Sequence, residues 1–175
     1  MGTKTSISIW DKDWLIAPIF EGLLILFIGV IGLATHSALL FSSLGATAYE
    51  QIEKSRSRTA RPYNIIAGHI GGILSGFAAL AILNAWPAPQ VLSAHYMTPQ
   101  RVWAGVVGVA LTVLINTLIK AQQPAACSTS LLVSLGSFQT LRISLTVVGA
   151  VILLAILGEP LRRLRIRTTD ESRLH

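Results

Sequence analysis

Four long apolar runs, Trp14–Thr35, Pro62–Trp86, Val102–Ala121 and Leu141–Leu161, restrict this chain more than any other feature. A helix rises about 1.5 Å per residue, so about 20 residues cross a hydrocarbon core about 30 Å thick. Each run is long enough. Within that core every backbone polar group has to be satisfied internally, so runs of this length fold as helices. Only 13% of the residues are charged, against about 25% in soluble domains. The expected fold is an all-α integral membrane protein forming a single membrane domain, with the lipid bilayer as its surroundings.

The formal net charge of +6 raises the question of nucleic acid. The basic residues, however, flank the apolar runs, at Lys54, Arg56, Arg58, Arg61 and at Arg162, Arg163, Arg165, Arg167. Juxtamembrane Lys and Arg set topology and touch anionic headgroups. No recognition module accompanies them, so no nucleic-acid partner is expected. The first run is too long for a signal-peptide core and is read as an uncleaved helix. Trp10 and Trp14 mark one interface; Trp86, Tyr96 and Trp103 mark the other. Cys127 is the single cysteine, which excludes an intrachain disulfide.

Between the long runs lie two shorter apolar segments, "HSALLFSSLGATAYE" at 36–50 and "CSTSLLVSLGSFQT" at 127–140. If only the long runs cross, the charged stretch Glu50–Arg61 and the arginine-rich tail fall on opposite sides, against the positive-inside tendency. If the short segments cross too, the N-terminus, Gln51–Arg61, Lys120 and the tail all face the cytoplasm. The loop Pro87–Gln100, without Lys, Arg, Asp or Glu, then faces out. The expectation is a multi-pass protein of the cell inner (plasma) membrane with cytoplasmic termini and six crossings. Re-entrant short segments are the alternative. Residues 14–86 and 102–161 become two inverted repeats of three segments, matched best at "SLGA" 43–46 and "SLGS" 134–137. Residues 162–175 form a basic cytoplasmic tail.

Paired short, glycine-interrupted segments in two halves point to a transport site near the midplane. A helix ending inside the bilayer leaves free N–H or C=O groups, and its dipole favours anions at the N-terminus and cations at the C-terminus. Ser42, Ser43, Thr47, Ser128, Thr129, Ser130 and Ser134 add hydroxyls at that level. Close helix packing is the plainer role for any one of these small residues.

Three stretches, "SSLGATA", "RPYNIIAGHIGG" and "QQPAACSTSLLVSLG", together resemble the HPP family of integral membrane proteins across about residues 14–160. Pro62, Asn64, Gly68 and His69 carry the most specific part of the likeness. The naming motif is degenerate: Gln123 stands in place of its His and Ala125 in place of its second Pro. The resemblance implies a four-helix membrane core and, from members implicated in nitrite transport, a small-anion substrate.

The substrate-binding candidates are Ser43, Gly45, Thr47, Asn64, His69, Ser128 and Thr129. Ionisable groups inside spans tend to face a cavity or a partner, so His69 is a candidate for substrate contact, for a proton relay, or for an interhelical hydrogen bond. Glu21, inside the first run, is a second candidate coupling site. Gly68, Gly72 and Gly76 share one helix face and are read as a packing surface. No metal-ligand spacing, P-loop or nucleophile motif is present, so neither a cofactor nor an enzyme is expected. The leading function is a transporter or channel for a small inorganic anion, nitrite first. The alternatives are a small-cation pathway, if helix C-termini face the site, and a non-transporting scaffold docking a partner through the glycine face. An 18.8 kDa chain has limited material to enclose a pathway, which leaves room for a homodimer.

Overall fold

A computed structural model describes the backbone of residues 13–172 and the side chains of residues 15–167. Among the described residues seven helices follow in order: α1 (Asp13–Ala34), α2 (Ser42–Ile52), α3 (Pro62–Ile82), α4 (Val91–Ala94), α5 (Pro99–Leu118), α6 (Ala125–Ser134) and α7 (Leu141–Ser172). No strand occurs among the described residues. Four helices among the described residues are long and apolar enough to span a membrane, over Leu15–Ala34, Pro62–Ile82, Pro99–Leu118 and Leu141–Arg167. The chain is a membrane-embedded protein. Trp10 and the side chain of Trp14 lie outside the described residues, whereas Trp86, Tyr96 and Trp103 are exposed near the α3–α5 connection.

The sequence punctuates these helices clearly. Pro62 and Pro99 open α3 and α5, where a missing N–H costs little, and the Thr98 side chain caps α5 by accepting from the Arg101 N–H. At the other ends α1, α3, α5 and α6 close alike. His36, Asn84, Lys120 and Gly136 turn left-handed, and the next N–H reaches back to Gly32, Leu80, Asn116 and Leu132 respectively. This double closure satisfies carbonyls that lipid could not. Only one of the four positions is glycine.

Around α3 the structure is densest, with α5 and α6 against it and α7 beyond. The glycine face anticipated on α3 is real and is filled from within the chain. A Cβ on Gly68 would strike Gln123, one on Gly72 the Ala126 backbone, and one on Gly76 the Val133 side chain. α6 therefore runs parallel to α3, seated on its glycines. That leaves no free glycine face for a docking partner. α5 runs antiparallel, with Asn116 against Gly71 and the Asn116 amide donating to the Gly68 carbonyl.

The two short segments differ from their expected form. Gly45 does not break α2, which is continuous through it; the break precedes it, at extended Phe41. "SLGA" opens α2, whereas "SLGS" closes α6 with Gly136 already past its end. The matched tetrapeptides are thus at opposite helix ends and carry no structural equivalence. α7 continues as helix through the basic residues from Arg162 to Ser172.

Candidate functional site

α2 carries polar residues at a helical period: Ser43, Thr47, Gln51, with Glu50 beside the last, all buried. Such a stripe cannot face lipid at acceptable cost, so it turns toward α3, α6 and α7. Gln51 donates to the Ala155 carbonyl of α7 at 3.1 Å. Further in, the stripe meets His69, about two turns into α3, and Thr129 of α6. Ser43, Thr47, His69 and Thr129 are each 0% exposed, so they have only one another and nearby backbone as partners.

Their hydrogen bonds admit one consistent direction. The Thr47 hydroxyl donates its single proton to the Ser43 carbonyl at 2.8 Å. Its oxygen must then accept from His69 Nε2–H, at 2.9 Å. A neutral imidazole protonated at Nε2 has its lone pair at Nδ1, which accepts from Thr129 Oγ1 at 2.8 Å. Thr129 in turn accepts from Ser43 Oγ, also at 2.8 Å. The chain runs Ser43, Thr129, His69, Thr47 and back to the Ser43 backbone, fixing His69 as the neutral Nε2–H tautomer. Every hydroxyl proton is used.

The cluster adjoins the start of α2, where Ser42 is exposed and Ser43 is the first buried residue. Phe41, at φ −146° and ψ 161°, leads into α2 without any side-chain cap. The Leu44 N–H turns back to the Phe41 carbonyl at 3.0 Å, and the helix dipole presents positive charge beside Ser43. α6 starts below the surface. Its approach segment, 119–124, places Gln123 beside Gly68, about 9 Å beneath the start of α3. There the Gln123 amide, oriented nitrogen-inward, donates to Glu50 Oε2 at 2.7 Å and the Thr59 carbonyl at 3.2 Å. No side chain caps α6 either.

The opposite end of α6 is occupied. Arg101 is fully buried and donates from Nη1 to the Ser134 carbonyl at 2.9 Å, from Nε to the Pro89 carbonyl at 3.1 Å, and from Nη2 to the Ala88 carbonyl. Gln139, with its amide oxygen toward the guanidinium, accepts from Nη2 and Nη1 at 2.8 and 2.9 Å. All five guanidinium donors are used. Gly136 packs against Arg101 at φ +99°, where a Cβ would be strained.

Of the residues anticipated from sequence, Ser43, Thr47, His69 and Thr129 come together. Gly45 does not: it faces outward, and a Cβ there would meet nothing within 4 Å. Ser128 is half-buried and outside the cluster. Asn64 ties the preceding turn, donating to the Arg58 carbonyl. Glu21 is half-buried on α1 and has no hydrogen bond to the cluster. Sequence reasoning missed Arg101, Glu50, Gln51 and Gln123. Glu50 and Gln51 were detectable, lying seven and eight residues after Ser43 on the same helix face. Arg101 had a fainter signal, a lone cation just inside an apolar helix. Among the described residues no three His, Cys, Asp or Glu side chains gather to hold a metal.

A family model described as HPP, transmembrane region, matches residues 8–163. No curated protein and no solved structure matches the chain.

Proposed function

This chain belongs to the HPP transmembrane family, and from that premise we propose that it is a transporter or channel for a small inorganic anion, nitrite first. The observation that carries the reading is the N-terminus of α2, without a side-chain cap, beside the buried Ser43–Thr129–His69–Thr47 cluster. Hydroxyls and N–H groups at a positive helix end form an anion site without a fixed cation. The arrangement is an occluded state: an arriving anion takes the Ser43 and Thr129 protons that now close the chain.

The runner-up, a cation pathway, needs free helix C-termini. The C-terminus of α6 instead holds the Arg101 guanidinium, which supports an anion. Six crossings fit the same contacts. α2 ends near the turn where Arg162 donates to the Ser55 carbonyl, and α6 runs from the Glu50–Gln123 level to Leu135, whose carbonyl accepts from Val91. By the positive-inside rule the face with Gln51–Arg61, Lys120 and the arginines at 162–167 is cytoplasmic, in a plasma membrane. The halves α1–α3 and α5–α7 then form an inverted pair. Its signature is the irregular approaches 37–41 and 119–124, each leading to a helix N-terminus. An anion coming from either side meets the positive end of a helix.

His69 is neutral and has no carboxylate partner in its cluster. A proton on Nδ1 becomes affordable only when an anion sits beside it, so His69, not Glu21, is the coupling residue of this reading. Its test is uptake into proteoliposomes of nitrite, nitrate, formate and chloride against potassium and magnesium. Saturable nitrite uptake that falls at least tenfold in His69→Ala, with folding checked by thermal melting, is the expected result. Cation flux alone would reverse the assigned sign, and no flux from folded protein would remove transport altogether.

A further inference from the structure

A cleft of about 400 Å³ with a mixed polar and apolar lining opens at the face opposite the basic turns, between the end of α1 and the start of α7. One wall is His36, Ser37 and Ala38; the other carries Thr140, Arg142 and Thr146. Arg142 is exposed. No Asp or Glu occurs in 22–49 or 54–158, so among the described residues this face has cations and no carboxylate to offset them. Arg142 and the buried Arg101 give it a positive potential over low-dielectric walls, which concentrates anions.

The two walls lead inward to one contact. Three residues past Ala38, Phe41 begins α2; two residues before Thr140, Phe138 follows α6. Their rings meet edge to face, centroids 5.6 Å apart at 89°. Both are partly buried against the core, and the Phe138 carbonyl is fixed from α7 by Ser144 Oγ at 3.2 Å. Ser43, the first member of the hydroxyl–imidazole cluster, is two residues beyond Phe41. Along the chain, then, Phe41 lies between one cleft wall and Ser43, and Phe138 between α6 and the other wall.

We propose that this cleft is the outer access site for the small anion, with Arg142 as its collecting cation, and that the Phe41–Phe138 pair is the gate separating it from the buried cluster. The inference rests on the anion-transport reading and adds where the anion is first held and what closes behind it. Arg142 binds through charge, and the Thr140 hydroxyl, which accepts from the Ile143 N–H, has its proton for an oxygen of a small oxyanion, whereas Ser37 and Thr146 give theirs to the Thr35 and Arg142 carbonyls. Rotation of one aromatic side chain opens the way to Ser43, with no rearrangement of the helices.

The experiment uses the full chain in proteoliposomes, with nitrite at neutral pH as the probe. Arg142→Gln is expected to raise the half-saturating nitrite concentration about three- to tenfold at low ionic strength while leaving the maximal rate unchanged. The difference should shrink as salt screens the exposed charge, and Arg142→Lys should restore the wild-type value. In a Cys127→Ala background, Ser37→Cys should react with an impermeant anionic thiol reagent, more slowly in the presence of nitrite. Phe138→Ala, with Phe41→Leu as a milder second variant, should admit the larger thiocyanate. Unchanged half-saturation in Arg142→Gln together with labelling indifferent to nitrite overturns the access site while leaving the transport reading standing. Unaltered anion selectivity in both aromatic variants overturns the gate. If wild-type protein moves no anion, both readings fall together.

Discussion

Replacing Thr129 by Val is the sharpest probe of the buried cluster, because the shape is kept and only the hydroxyl is lost. Thr129 stands in the middle of the directed chain, accepting from Ser43 and donating to His69. Its removal deletes two hydrogen bonds and strands two atoms, the Ser43 O–H and His69 Nδ1, where no water reaches. A buried polar group left unpaired costs about 1–3 kcal/mol. Interhelical hydrogen bonds inside membranes measure lower, about 0.6 kcal/mol on average and at most about 1.7. Thr129→Val should therefore destabilise by about 2–4 kcal/mol. Ser43→Ala deletes one bond and strands only a lone pair on Thr129, at about 0.5–1.5 kcal/mol. The double variant removes the stranded Ser43 proton, so it should cost about 1 kcal/mol less than the sum. Thermal unfolding in a fixed detergent, repeated in denaturant titration, measures all three. Ser43→Ala costing as much as Thr129→Val, or strictly additive costs, would refute the hydrogen-bond direction and with it the assigned tautomer.

Other outcomes follow from the packing. Gly72→Ala puts a Cβ 2.5 Å from the Ala126 carbonyl oxygen, a backbone atom that yields only if α6 moves. Melting should show a loss of about 1–3 kcal/mol, and nitrite uptake should fall with it. Gly45→Ala meets nothing within 4 Å and lies inside α2, so the same assay should show neutrality or a gain of about 0.5–1 kcal/mol. Arg101→Met leaves the Ala88, Pro89 and Ser134 carbonyls without their donors and should cost at least about 3 kcal/mol in denaturant titration. Arg101→Lys should recover only part of that, since an ammonium has three donors in place of a five-donor fork.

How much of this was legible in the chain depends on the range of the physics involved. The four spanning helices follow from apolar length alone, because hydrocarbon imposes internal hydrogen bonding on any run of about 20 residues. The glycine face of α3 follows from spacing, as does the interior stripe Ser43, Thr47, Glu50 and Gln51, once α2 is taken as continuous. His69 was identifiable because an ionisable group inside a span needs a partner. Its partners were not identifiable. They come from α2 and α6, separated from it by 22 and 60 residues in the chain, and only the seating of α6 on the α3 glycines brings Thr129 to the imidazole. The same holds for Arg101, whose acceptors lie in the 88–89 connection, at the end of α6 and on Gln139. Polarity at the helix ends was likewise a tertiary decision. The chain names two short segments, but whether N–H or C=O groups face the interior depends on which way each enters. The sequence by itself determined a membrane-embedded helical protein with polar side chains committed to its interior. Packing decided which of them meet, because hydrogen bonds extend about 3 Å and no local pattern reports on neighbours that close only when the helices assemble.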